Sequence, residues 1–125
     1  MQIKQSAEDY FETIYRLKQQ NGHVRSIDVV NELGFSKPTV SVAMKKFREN
    51  GFVTVDEAGH IELTKSGLAI AKKVFEKHTI ISEALMLLGV PKETALEDAC
   101  KMEHGISDES LMAIKTHMEQ LKNRK

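Results

Sequence analysis

Apolar side chains recur in steps of three and four at Ala7, Tyr10, Phe11, Ile14 and Leu17, with Tyr15 alongside. That stride predicts an amphipathic helix over about 7–20, with Ser6 as N-cap and Gly22 as its stop. A short helix over about 27–33 follows, capped by Ser26 and closed by Gly34. A third starts almost at once: Ser36 caps it, Pro38 suits its first turn, and Gly51 ends it after Asn50. Within it Val40, Ala43, Met44 and Phe47 fall at helical spacing and are expected in the core. Residues 52–55 and 60–63 read as two strands around a turn at 56–59. Thr64 opens a long helical stretch to about Leu88. Pro91 starts another over about 92–104, and Ser107 caps a last one over about 108–121.

The order is three helices, a hairpin and three more helices. It predicts a mainly α fold: an N-terminal winged helix-turn-helix, with three helices and a two-stranded wing, followed by an all-helical dimerisation domain. The expected boundaries are 1–72 and 73–125, joined by a linking helix at about 65–88. Leu111, Ile114, Met118 and Leu121 form a stripe that serves either a dimer interface or packing on the preceding helix.

Two short helices joined by a tight Gly-containing turn let the second lie in a DNA major groove. Ser36, Lys37, Pro38, Thr39 and Ser41 occupy the N-terminal end of this recognition helix, within reach of base edges and phosphates. Lys37, Lys45, Lys46 and Arg48 are assigned to phosphates. The alternative is a protein-interaction module with lysines on a solvated face.

Charge distribution favours DNA. The chain of 125 residues has no net charge, but residues 36–77 hold eight basic against five acidic side chains, net +3. Residues 82–109 hold two basic against seven acidic, net −5. A basic head followed by an acidic module suits DNA at one end and cations at the other. The single cysteine, Cys100, excludes an intramolecular disulfide framework and fits a reducing compartment. MQIKQSAEDY contains no apolar signal region, and no apolar run reaches about 18 residues, so the expected location is cytoplasmic with no membrane partner.

Within the acidic module Cys100, Glu103 and His104 stand at i, i+3 and i+4, on one face if the helix continues. Asp9 and Glu12 share a face of the first helix, and His78 lies on the long one. These O, N and S donors suit one or two divalent ions. Each also has an ordinary reading: Asp9 with the helix dipole, Glu12 with Arg16, Cys100 as a small buried hydrophobe, His78 as a core histidine. His23, His60 and His117 are assigned no chemistry.

Five motifs occur in order: Glu8-Asp9-Tyr10-x-Glu12-x-Ile14-Tyr15, Ser36-x-Pro38-Thr39-Val40-Ser41, Leu63-Thr64-x-x-Gly67, Lys77-His78 and Asp98-Ala99-Cys100-x-x-Glu103-His104-x-x-Ser107. Over nearly its whole length the chain resembles the diphtheria-toxin-repressor and manganese-transport-regulator family of metal-dependent transcription repressors. The resemblance implies a winged helix, a helical dimerisation domain, a homodimer on a palindromic operator in duplex DNA, and Asp9, Glu12, His78, Cys100, Glu103 and His104 at ligand positions. Asp9 and Glu12 resemble the manganese branch, whereas Cys100 resembles the iron branch, where the manganese branch has glutamate. The iron branch's ancillary site is incomplete, with Ser82 and Leu96 replacing its glutamate and histidine. That branch's C-terminal SH3-like domain is not in the chain. Val42 stands where that branch has glutamine.

A thiolate shifts preference from Mn²⁺ toward Fe²⁺, Co²⁺ or Zn²⁺. The expected ion is Fe²⁺, with Mn²⁺ close behind and Zn²⁺ or Co²⁺ as substitutes in vitro; no organic cofactor is expected. The competing reading is a metal-independent winged-helix regulator sensing an organic ligand. An enzyme is not expected, because the chain has neither a His-Glu-x-x-His pattern nor a nucleophile–base pair.

Overall fold

The computed structural model describes residues 5–123, and side chains from Ser6 onward. The elements are α1 (Gln5–Asn21), α2 (Ser26–Leu33), α3 (Lys37–Glu49), β1 (Val53–Val55), β2 (Ile61–Leu63), α4 (Lys65–Leu87), α5 (Lys92–Met102) and α6 (Asp108–Lys122). They form two compact units divided between Lys72 and Lys73, within α4.

In the first unit, α1 packs on α2 and β2, α2 on α3, and α3 on β1. Phe11, Ile14, Val24, Val29, Val40 and Ile61 have almost no exposed surface. Phe47 meets the Phe11 ring edge-on at 4.8 Å and Tyr10 at 5.3 Å, and Phe52 lies 5.3 Å from Phe11. Such ring pairs add about 0.5–1.5 kcal/mol each beyond the area they bury. Arg16 donates to Glu32 at 2.8 Å, joining α1 to α2, and Lys18 pairs with Glu62 on β2.

The turn between α2 and α3 depends on Gly34, whose φ of 73° is a left-handed conformation. Its N–H donates to Val30 O at 2.9 Å. Ser36 then caps α3, accepting the Thr39 N–H at 3.2 Å, with Pro38 in the first turn. Val40, Met44 and Phe47 are buried, as their spacing predicts, and Ala43 is half-buried.

The wing is an antiparallel pair with Val53 opposite Leu63 and Val55 opposite Ile61. Next to its turn, an antiparallel bridge between Arg25 and His60 adds a third segment beside β2. At its tip Asp56 Oδ1 accepts the N–H groups of Ala58 and His60, both at 2.9 Å. These bonds, that from His60 foremost, hold the Asp56 carboxyl below its ordinary range.

Three boundaries differ from the expected ones. Helix α1 already includes Ser6, which is therefore not its cap. Ser26 is the first residue of α2. The cap is Arg25, whose N–H donates to the Asp28 carboxylate at 2.9 Å. Helix α5 ends at Met102 rather than near His104.

The second unit closes around Ile80, Ile81, Ala99, Leu111 and Met118, with Leu85, Ile106 and Ile114 packed against them. Ser107 caps α6 by accepting the Ser110 N–H at 3.1 Å. Lys73 and Lys115 pair with Asp108 and Glu76, and Lys122 with Glu83. Partner numbers rise together along both helices, so α6 runs parallel to α4. Leu111 and Met118 are buried inside the unit, Ile114 is half-buried, and Leu121 is exposed. Most of that stripe thus packs within its own unit.

Gly67 sets how closely α4 approaches the turn before β1. A Cβ there would lie 2.3 Å from the backbone O of Phe52. Thr64 fixes the same junction: its hydroxyl donates to Gly51 O at 2.6 Å, and its N–H donates to Phe52 O at 3.0 Å. Because the obstacle is backbone, Gly67→Ala is expected to destabilise the chain by about 1–3 kcal/mol or more. Urea unfolding should show a lower midpoint, whereas Ala69→Ser, at a neighbouring exposed position, should leave it unchanged.

Candidate metal centre and recognition helix

The acidic module contains one buried carboxylate. Glu103 is 1 % exposed and stands at the C-cap of α5, its N–H donating to Ala99 O at 2.9 Å. Two imidazoles flank it. His78 Nδ1, from α4, lies 2.9 Å from Glu103 Oε2, and His104 Nε2 lies 3.4 Å from Oε1. Oε1 has no hydrogen-bond partner among the described residues. A desolvated carboxylate costs several kcal/mol unless paired or bound to a cation. One oxygen held by an imidazole and the other left without a donor, beside a second imidazole, is a donor arrangement that fits a divalent transition metal.

The geometry comes from the end of α5. Glu103 lies just past Met102, the last residue of α5, yet keeps helical dihedrals (φ −60°, ψ −27°) and the bond to Ala99 O, so it follows Cys100 on the same helical track before the chain turns at His104 and Gly105. Glu103 points inward while Cys100, three residues earlier, is exposed. The reading of Cys100 as a small buried hydrophobe is therefore excluded. Asp9 and Glu12 lie one turn apart on α1, both half-buried.

Two lysines hold the turn. Lys77 Nζ donates to Ile106 O at 3.3 Å and lies 3.7 Å from Asp108, which also pairs with Lys73 at 3.0 Å. The Lys73 bond holds the Asp108 carboxyl below its ordinary range, with Lys77 adding to the effect. Both lysines were counted with the basic head on charge alone, but they belong to the second unit and brace its 103–108 segment. The sequence signal was available: Asp108 follows the capping Ser107, where an acid is favoured by the helix dipole.

On α3 the residues assigned to DNA have well-defined places. Lys37, Pro38, Thr39, Ser41, Lys45, Lys46 and Arg48 are all exposed. Ser36 is also exposed, but its hydroxyl is engaged by Thr39 Oγ1 at 2.7 Å as well as by the capping bond. The second unit also carries an apolar groove of ≈ 520 Å³ that includes Leu85, Leu88, Met102, Ile114 and Leu121.

A winged helix in one unit, and in the other a buried glutamate flanked by two histidines, are the parts of a DNA-binding regulator with donors suited to a cation. Comparison with known proteins gives the family. Residues 2–61 match the iron dependent repressor N-terminal DNA binding domain, and residues 64–124 match the iron dependent repressor metal binding and dimerisation domain. An uncharacterized HTH-type transcriptional regulator of Methanocaldococcus jannaschii is 36% identical over 124 residues, 98% of this chain and 99% of its own length. The transcriptional regulator MntR of Escherichia coli O6:H1 is 35% identical over 108 residues, 86% of this chain and 70% of its own. A manganese-dependent transcriptional repressor solved in complex with manganese superposes with a TM-score of 0.82 at 25% identity, covering 90% of this chain and 52% of that one. The chain thus spans about half the length of such solved structures. It belongs to the iron-dependent repressor family, whose members are metal-dependent transcriptional repressors. Among the described residues no helix is long and apolar enough to cross a membrane.

Replacing Glu103 by Gln removes the buried charge while keeping the shape. The metal-free Glu103→Gln chain is expected to melt at or above the wild-type temperature. Adding Mn²⁺ at about 100 times its Kd should stabilise wild type by about 2.7 kcal/mol and the variant far less. Calorimetry with and without Mn²⁺ reads both effects.

Proposed function

We propose that this chain is a homodimeric repressor whose hold on a palindromic duplex operator is switched on by a divalent transition metal. The carrying observation is the buried Glu103 carboxylate between His78 and His104, in the unit matching a metal binding and dimerisation domain. The proposed ligands are Asp9, Glu12, His78, Cys100, Glu103 and His104. The proposed DNA contacts are Ser36, Lys37, Pro38, Thr39, Ser41, Lys45, Lys46 and Arg48. The apolar groove on the second unit is assigned to the second copy, and the compartment to the cytoplasm.

The ion supplies charge neutralisation and a fixed coordination geometry. It brings the excess negative charge of the acidic donors to a stable state without burying free carboxylates. Ligands drawn from both units make bound metal a restraint on their relative freedom. That restraint favours the arrangement of two recognition helices that fits successive major grooves, about 34 Å apart. Pro38 and the cap at Ser36 present the α3 N-terminus to phosphate, and Lys45, Lys46 and Arg48 add charge along it. Coupling of about 1–3 kcal/mol corresponds to a change of roughly 5–150-fold in operator affinity, and operator should tighten metal by the same factor.

Anaerobic gel shifts on the protein's own promoter region, titrated in parallel with Fe²⁺, Mn²⁺ and Zn²⁺ after chelator treatment, test this. A rise in affinity within that range supports the proposal; binding indifferent to every ion favours the organic-ligand regulator instead.

The donor set favours Fe²⁺, with Mn²⁺ second and Zn²⁺ or Co²⁺ serving in vitro. A thiolate ligand is poorly matched to Mn²⁺, which prefers O and N donors. Cys100→Glu should therefore raise the affinity for Mn²⁺ relative to Fe²⁺ and Zn²⁺. Anaerobic competition titrations read the ranking, and an unchanged order removes Cys100 from the ligand set.

A further inference from the structure

The outward face of α3 carries one large apolar side chain. Val42 is 70 % exposed, on a helix whose other exposed positions include Pro38, Thr39, Lys45, Lys46 and Glu49. At about 100° per residue, Val42 points within about 20° of the direction diametrically opposite Val40, Met44 and Phe47. It therefore stands at the centre of the face that α3 turns away from the core. Lys45 and Lys46 follow it one turn later, and Pro38 and Thr39 precede it by one turn. Valine gains nothing there from burial, and its branched Cβ makes it a weaker helix former than the unbranched residues around it.

We propose that Val42 is a specificity-determining residue that reads thymine through its C5-methyl group. The inference rests on α3 being the recognition helix, as set out above. A major-groove floor offers hydrogen-bond donors and acceptors on every base pair, but only one apolar group, the thymine methyl. Val42 has no donor or acceptor, so it cannot distinguish guanine, adenine or cytosine by hydrogen bonding. Facing polar base edges it would leave their groups unsatisfied, which penalises those sequences. Facing a methyl it buries apolar surface on both partners. The cations on the same face set the approach: Lys45 and Lys46 suit phosphates flanking the groove, not an apolar protein partner. Pro38 and the Thr39 methyl lie on the same side, but the Thr39 hydroxyl is tied to Ser36 at the cap. Val42 is the large side chain with nothing to do but meet a methyl.

The size of the effect follows from one methyl. Burying a CH₂-sized group is worth about 0.8 kcal/mol, which is about fourfold in affinity.

The test starts from a pool of random-sequence duplexes, selected anaerobically and in parallel with the chain loaded with Mn²⁺, Fe²⁺ or Zn²⁺. The most enriched duplex is then made with each thymine replaced in turn by deoxyuridine, which lacks only the methyl. The expected result is at least one thymine per half-site at which deoxyuridine weakens binding about fourfold in fluorescence anisotropy. At that position 5-methylcytosine should bind about fourfold better than cytosine, because Val42 senses the methyl and not the neighbouring polar atom. Val42→Ala, which withdraws the two methyl groups that reach furthest, should shrink both differences, and Val42→Gln should move the preference there toward adenine, which a glutamine amide reads with two hydrogen bonds. Thermal melts of both variants should match or slightly exceed wild type, since Val42 contributes nothing to the core and both replacements are better helix formers.

If every thymine tolerates deoxyuridine, or the penalty persists undiminished in Val42→Ala, the inference is overturned while sequence-selective binding stands. If the pool yields no enriched sequence with any ion, the reading of α3 as a recognition helix fails, and the inference with it.

Discussion

A carboxylate removed from water has to be compensated, and in this protein that requirement falls on Glu103. The unit that buries it is small, with a core of a few aliphatic side chains between three helices. Hydrophobic burial on that scale leaves little surplus to support an uncompensated charge. The structure answers with local devices: an imidazole on one oxygen, a second imidazole near the other, and a lysine brace that fixes the turn from below. The parallel course of α4 and α6 follows from the same turn, since Lys73 meets Asp108 where α6 begins. A divalent cation would neutralise the charge and could take the oxygen that no protein donor reaches.

The first unit solves a different problem. It must hold a helix firmly while leaving one side of it bare. Aromatic rings grip α3 from α1, the Ser36 hydroxyl closes its N-terminus, and the close passage of α4 at Gly67 fixes the chain just after it. Apart from the Ser36–Thr39 cap, which lies on the exposed end itself, these contacts leave the outward residues untouched. Rigidity of the reading surface therefore comes mainly from its back.

Much of this was legible in the residues. Ser36 with Pro38, Ser107 before an acidic turn, and Gly34 between two short helices are local signals, each with a single strong structural meaning, and each took the place it predicts. Caps with weaker chemistry went the other way. Ser6 and Ser26 were outweighed, the former because helix continues upstream of it, the latter because Asp28 bonds the backbone N–H of Arg25. In the acidic module the donor types were readable but their directions were not. Spacing places Cys100 and Glu103 on neighbouring positions of one helix, but only packing decides that Glu103 is buried and Cys100 exposed. The pairing of His78 with Glu103 joins residues 25 apart, a distance that only tertiary packing closes. Nor could charge counting assign Lys73 and Lys77, because net charge says nothing about which carboxylate a lysine finds.

The two-sided construction of α3 has an evolutionary consequence. Apart from Ser36 and Thr39, which cap the helix and also face outward, residues that hold the helix and residues that face outward form separate sets, so changes in one are nearly additive with changes in the other. A lineage can alter Val42 or Ser41 without approaching the stability threshold below which the fold is lost. Duplicated copies of such a gene are then at liberty to drift toward different target sequences while inheriting the same core. The bare face of one helix thus makes this scaffold a source of new regulatory wiring, with the architecture as the constant and the address as the variable.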